Sequence, residues 1–301
     1  RADFIVGRVR ILRGRGAGAR EIELSRLAAI DALQRELILC RSVATAEIGK
    51  AHLLKHFGDL APEEIRPADS REYARLRMGG ALGRQVQGST VRRELGVLVA
   101  ALNHAVREQR LRRDHLPSII LPESNPPRER WLTGDEVERL FAACRGVGRL
   151  PRVYRFAMLA YYTAGRKAAL EGLRWTQVDF DTGMIHLAEP GARTTKKRRA
   201  SVPMHPKLRE MMEQALLERD GLHVLDHDGN IRAAFETAVR NAKLVDVTPH
   251  ILRHTAATHM LRRGVPLWQV AGILGDTEAT VAKTYGKHVP DALREAVEAL
   301  L

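Results

Sequence analysis

The sequence predicts a mainly α-helical protein with a small antiparallel β-sheet, an α+β chain built in two parts. Three observations carry this. Apolar residues recur at helical spacing over long stretches, as in Leu95, Leu98, Leu102 and Val106. Two short segments, Val178-Asp179-Phe180-Asp181 and Met184-Ile185-His186-Leu187, flank Thr182-Gly183 and read as a hairpin. A polar run with three prolines, Leu121-Pro122-Glu123-Ser124-Asn125-Pro126-Pro127, interrupts the helical pattern between them.

The elements follow in order. Residues 1–43 form a basic N-terminal segment and a helix. Arginines stand at positions 1, 8, 10, 13, 15 and 20, Gly14, Gly16 and Gly18 suggest a turn, and Leu24, Leu27, Ile30 and Leu33 fall at helical spacing. No Gly-Lys-Ser/Thr follows the glycines, so they are not a nucleotide-binding loop. Residues 44–121 read as a helical domain. Its clearest helix opens at Ser89-Thr90-Val91-Arg92-Arg93, with the apolar stripe packing inward and Arg92 and Arg93 available to an anionic partner or to solvent. Residues 122–128 are the linker and 129–301 the second domain. That domain opens with Thr133 as a helix cap and Glu136 three residues later, the spacing of a capping box. The hairpin comes next, then a basic turn, Thr194-Thr195-Lys196-Lys197-Arg198-Arg199, running into Ala200-Ser201-Val202-Pro203 and a continued sheet. Further helices are expected from Leu208, Ile231, Pro249, Leu267 and Asp291. No internal repeat is present.

With 301 residues the chain is long enough for two cores. It carries 49 Lys and Arg against 36 Asp and Glu, a formal net charge of +13, which favours a polyanionic partner. Its two cysteines, Cys40 and Cys144, form no C-x-x-C pair or disulfide framework, as expected of a reducing cytoplasm. No apolar run approaches a membrane span, and the start lacks the apolar stretch of a signal peptide. The first residue is Arg1 rather than methionine, which is compatible with a longer N-terminus.

The most informative residues lie late in the chain. Thr248-Pro249-His250-Ile251-Leu252-Arg253 places a capping residue and a first-turn proline before His250 and Arg253, three apart on one helical turn. A helix N-terminus favours phosphate, so this segment offers a phosphate seat, a guanidinium clamp and an imidazole. Tyr285 follows, in Lys283-Thr284-Tyr285-Gly286, and a tyrosine brought to such a seat is a candidate nucleophile. Upstream stands Tyr162-Thr163-Ala164-Gly165-Arg166, followed by Leu173-Arg174-Trp175, with a second arginine suited to phosphate. His250, His254, His259 and His288 lack the glutamate of a His-Glu-x-x-His site and a nearby carboxylate set, so no metal is expected.

In order and spacing, Arg166, the basic turn, His250-x-x-Arg253, Leu274-Gly275 and Tyr285 resemble the tyrosine recombinases, the lambda-type phage integrase family. The resemblance covers roughly residues 45–301. It implies a helical core-binding domain, a tyrosine-recombinase catalytic domain, and in the N-terminal segment a remnant of an arm-binding domain. It implies a site-specific DNA recombinase, an integrase of a phage or mobile element, that cleaves and rejoins DNA through a 3′-phosphotyrosyl intermediate. Arg166 and Arg253 would neutralise the phosphate, Tyr285 would attack, and His250 would assist proton movement or hold the phosphate. Lys196, with Lys197 close behind, would protonate the 5′-hydroxyl leaving group. Arg92, Arg93, Lys197, Arg198 and Arg199 would hold DNA. No cofactor is implied, because the phosphotyrosyl link keeps the ester's free energy and rejoining needs no ATP.

The implied partners are double-stranded DNA at attachment or core sites, further copies of the chain as a homo-tetramer on DNA from free monomers, and accessory DNA-bending proteins. The implied location is the cytoplasm, on the nucleoid, for a bacterial or phage-encoded protein. Leu293, Ala296, Val297 and Leu300 make an apolar stripe on a terminal helix, which the family often lends to a neighbouring subunit.

Three positions depart from the family pattern. Asp276 stands where the family has His or Trp, Ala164 where it has Gly, and Ala169 where it has Glu. A carboxylate beside a phosphodiester repels it, so Asp276 is expected either to face solvent as a cap for the helix from Thr277 or to weaken the enzyme. Two alternatives stand beside the recombinase: a type IB topoisomerase-like enzyme, and a catalytically weakened sequence-specific DNA-binding protein.

Overall fold

The computed structural model describes residues 43–58, 60–109, 111–125, 130–146, 150–188, 200–227 and 229–286, with backbone alone for 43–48 and 50. The expectations for residues 1–42, for the basic turn at 194–199 and for the helix from Asp291 lie outside these residues. The chain divides into two compact units, Arg1–Pro127 and Arg128–Leu301.

In the first unit, helices α1 (Val43–Phe57) and α2 (Pro67–Gly79) pack on α3 (Gly88–Arg107). Leu95, Leu98 and Leu102 of the predicted stripe are buried, together with Val91 and Ala105, while Val106 packs at the edge of the same core. One polar network crosses this apolar interior. Arg77 grips Glu94 with two bonds, Nε to Oε2 (3.0 Å) and Nη2 to Oε1 (2.7 Å), and the Tyr73 hydroxyl donates to the same carboxylate (2.7 Å). Two buried charges are tolerated because each satisfies the other. Arg92 and Arg93 are exposed near the start of α3, and Arg92 Nη1 donates to the Pro122 carbonyl (2.9 Å).

The second unit opens with α4 (Gly134–Cys144). The capping box is formed on both sides: Thr133 accepts from the Glu136 amide, and Glu136 accepts from the Thr133 amide. Helix α5 (Arg152–Tyr162) is the centre of the core, with every residue from Tyr154 to Ala160 buried. A short α6 (Lys167–Glu171) leads to three antiparallel strands, β1 (Val178–Asp179), β2 (Met184–His186) and β3 (Ser201–Pro203). They lie in the order β1-β2-β3, with Val178 opposite Ile185 and Ile185 opposite Val202, which puts these apolar side chains on the core face. The hairpin turn is fixed by Gly183 at φ +69° and by Asp179, which accepts from the Asp181 and Thr182 amides.

Helices α7 (Pro206–Leu217), α8 (Arg232–Asn241), α9 (Pro249–Arg262), α10 (Leu267–Leu274) and α11 (Glu278–Tyr285) complete the unit. Two expectations are corrected here. Thr248 holds the N-cap backbone position of α9, but its side chain makes no cap bond; Pro at the first turn does the local work. The cap of α11 is Thr277, whose hydroxyl accepts from the Thr280 amide, and not Asp276. No helix among the described residues is long and apolar enough to cross a membrane.

Candidate active site

The end of α5, the first turns of α6 and α9, and the corner between α10 and α11 meet in one place. Thr163 closes α5, with its hydroxyl donating to Leu159 O (2.6 Å) and accepting from Gly165 N (3.1 Å). The next residue, Ala164, is fully buried at φ +50°. The left-handed backbone at that position is the physical reason a glycine suits it. The neighbouring Gly165 serves close packing instead. A Cβ on it would come within 2.6 Å of Leu170 Cδ2. Ala164→Gly should therefore stabilise the fold by about 1 kcal/mol by relieving the left-handed alanine. Denaturant unfolding measures this, and a destabilised glycine variant would show that the turn carries no strain.

The turn delivers Arg166 to the N-cap position of α6. Arg253, on the first turn of α9, is buried and held on three sides. Its Nη1 donates to the Ala164 carbonyl (2.7 Å), and its Nη2 donates to the Leu274 carbonyl (2.9 Å) and to Asp276 Oδ2 (2.5 Å). Arg166 Nη2 donates to the other oxygen, Asp276 Oδ1 (2.7 Å). One carboxylate thus bridges both guanidinium groups. The expectation that Asp276 faces solvent as a helix cap is overturned. The two cations reverse the local sign of the field, so a carboxylate is attracted where a phosphate alone would have repelled it. Burial first, and then the charge of Arg166, lower the Arg253 pKa from its usual value, while Asp276 and Tyr285 oppose that shift.

Tyr285 ends α11 and is buried in the small core formed by Ala164, Ala257, Leu261, Val270, Leu274 and Val281. Burial raises the pKa of its phenol above the usual value near 10, the Arg253 charge pulls it down, Asp276 pushes it up and Arg166 pulls it down more weakly. Burial, the largest effect, thus favours the protonated phenol, and Asp276 adds to it. His250 keeps solvent contact, yet partial desolvation in the crowded site, and then the charges of Arg253 and Arg166, hold its pKa below the ordinary histidine value. At neutral pH it is the uncharged imidazole, able to accept a proton.

His254 links His250 to Tyr285, with ring centroids 4.5 Å from His250 and 5.4 Å from Tyr285. Sequence reading weighed His254 only as a metal ligand. Its four-residue offset from His250 was the signal that both rings share a helix face. Among the described residues no group of three or more His, Cys, Asp or Glu is placed to hold a metal.

The structure brings together Arg166, His250, Arg253, Asp276 and Tyr285. Lys196, Lys197, Arg198 and Arg199 lie outside the described residues, and Arg92 and Arg93 belong to the first unit. Ala169 is buried against the core, and Glu171 is the acid of this segment, binding Lys167 and the Ile231 amide.

A sequence model of the phage integrase family matches residues 130–290, more than half of the chain. The shufflon-specific DNA recombinase of Escherichia coli is 27% identical over 229 residues, which cover 74% of this chain and 58% of that protein. The chain thus spans little more than half the length of that relative. The tyrosine recombinase XerA of Thermococcus kodakarensis is 29% identical over 68% of this chain and 74% of its own length. The fold matches that of the Tn1549 transposon integrase solved with circular-intermediate DNA (TM-score 0.72, 15% identity, 92% of this chain and 99% of that one). It also matches lambda integrase, solved as a tetramer on a Holliday junction (TM-score 0.67, 14% identity, 88% of this chain and 82% of that one).

Proposed function

Because the chain belongs to the phage integrase family, we propose that it is a site-specific DNA recombinase that cuts and rejoins strands through a tyrosyl–DNA link. The observation that carries this reading is the convergence of Arg166 and Arg253, from segments far apart in sequence, on a single anion beside Tyr285.

In this reading a scissile phosphodiester takes the place of the Asp276 carboxylate between the two guanidinium groups. Arg253, pre-aimed by two backbone carbonyls, stabilises the charge that builds on the non-bridging oxygens without reorganising. The Tyr285 oxygen attacks phosphorus, its proton passing by way of the His250–His254 pair, and the P–O5′ bond breaks. The products are a 3′-phosphotyrosyl ester and a 5′-hydroxyl. The bond is exchanged rather than hydrolysed, so a second 5′-hydroxyl reverses the step and no cofactor is needed. Lys196 is the general acid for the departing 5′-oxygen, and Lys197, Arg198 and Arg199 hold the backbone beside it; Arg92 and Arg93 of the first unit also bind DNA backbone.

The substrate is double-stranded DNA at paired sites, bound by four copies of the chain with accessory bending proteins, in the cytoplasm of a bacterium or phage host.

Incubating the full chain with a library of nicked duplexes of random core sequence tests the reading. A detergent-resistant DNA adduct enriched in one core sequence is expected. Site-independent relaxation of supercoiled plasmid would favour a type IB topoisomerase, and sequence-specific binding without an adduct would favour a DNA-binding protein. For the general acid, Lys196→Ala should lose cleavage on ordinary DNA and regain it on DNA whose 5′-leaving group is sulfur, since a thiolate departs without a proton. Rescue confined to Lys197→Ala would move the role by one residue.

A further inference from the structure

Asp276 sits in a corner whose backbone is fixed. Gly275 turns through φ +60°, the Asp276 amide donates to the Ala271 carbonyl (3.1 Å), and Thr277 caps the next helix at once. Only the side chain is left to move. About a quarter of it is exposed (27%), so solvent is open for it to turn into. When it turns, Arg253 keeps its aim, because the Ala164 and Leu274 carbonyls hold the guanidinium whether or not the acid is present. A carboxylate and a phosphodiester make the same demand on the two arginines: two oxygens, one negative charge, charge-assisted bonds from guanidinium forks. Both anions cannot occupy the seat together without placing like charges in contact.

We propose that Asp276 is a built-in competitor for the phosphate seat, closing it to isolated oxyanions and yielding only to a phosphodiester that the rest of the DNA holds in place. The DNA half of this rests on the recombinase reading; the competition itself does not. A free sulfate or phosphate must displace an acid that is already tethered at high effective concentration. A phosphodiester within a duplex is tethered too, by contacts between its neighbours and the basic surface. Asp276 is thus a specificity-determining residue. It keeps the two arginines occupied until the proper DNA arrives.

The test uses the full chain and two variants, Asp276→Asn, which keeps shape without charge, and Asp276→Ala, which removes the group. The DNA-free measurement is a titration with inorganic sulfate. The DNA measurement is the rate of covalent capture on a nicked duplex recovered from the library above. The proposal expects sulfate affinity to rise about tenfold in both variants, equivalent to about 1.4 kcal/mol, and DNA capture to be at least as fast as in the unchanged chain. Sulfate affinity that is equal or weaker in both variants overturns it. So does slower DNA capture in both variants when the unchanged chain captures DNA, because Asp276 would then be contributing to the reaction. If sulfate binds more tightly in the variants but none of the three forms captures DNA, the competitor stands and the recombinase reading fails.

Discussion

Tyr285→Phe should abolish covalent DNA capture while leaving site binding close to that of the unchanged chain. The ring is buried against Val270, Leu274 and Val281, and phenylalanine keeps that packing. Only the hydroxyl is lost, and in this scheme only the hydroxyl is chemical. Affinity comes instead from a basic surface, consistent with the formal charge of +13. Gel shift and detergent-resistant adduct formation on the same duplex separate the two effects. An adduct formed by the phenylalanine variant would exclude Tyr285 as nucleophile.

The second large effect is expected at the arginines. Arg253→Lys should slow cleavage by on the order of 100-fold, as removal of one preorganised oxyanion donor does elsewhere. The guanidinium does three things at once: it binds two backbone carbonyls from different elements and still presents a donor to the anion seat. A lysine ammonium is a single point on a flexible stem and cannot reproduce that fork. Arg166→Lys should also cut cleavage severely, for the same reason. Single-turnover cleavage measures both. Wild-type rates in both lysine variants would show that the arginines do not clamp the phosphate.

The fold class was legible because its signals are local. The stripe of α3, the capping box before α4 and the Thr182-Gly183 turn each need only a few neighbouring residues. Helix α5 escaped reading for a physical reason: seven consecutive residues, Tyr154 to Ala160, are buried and one of them is the charged Arg155, so residue polarity does not mark its inner face. Helix α11 was expected from Thr277 with Asp276 as one reading of its cap, and the fold makes Thr277 itself the cap, which leaves the Asp276 carboxylate to the arginines. Spacing led to Arg166, His250, Arg253 and Tyr285 as residues of interest. What sequence could not supply was the environment of Asp276. Read alone, a carboxylate beside a phosphate seat is repulsive. Its two partners lie 110 and 23 residues away, and only the folded chain brings them to its oxygens. The left-handed backbone at Ala164 was signalled only by its standing where the family has glycine, since the alanine itself carries no mark of it.

The account rests most heavily on Tyr285 as the atom donor in the DNA link, and one measurement addresses it directly. The adduct formed by the unchanged chain on a nicked duplex is digested with nuclease and protease, and the peptide carrying the residual nucleotide is sequenced by mass spectrometry. The account predicts a 3′-linked nucleotide on the phenolic oxygen of Tyr285. A nucleotide on any other residue, or linked through its 5′ end, would contradict it.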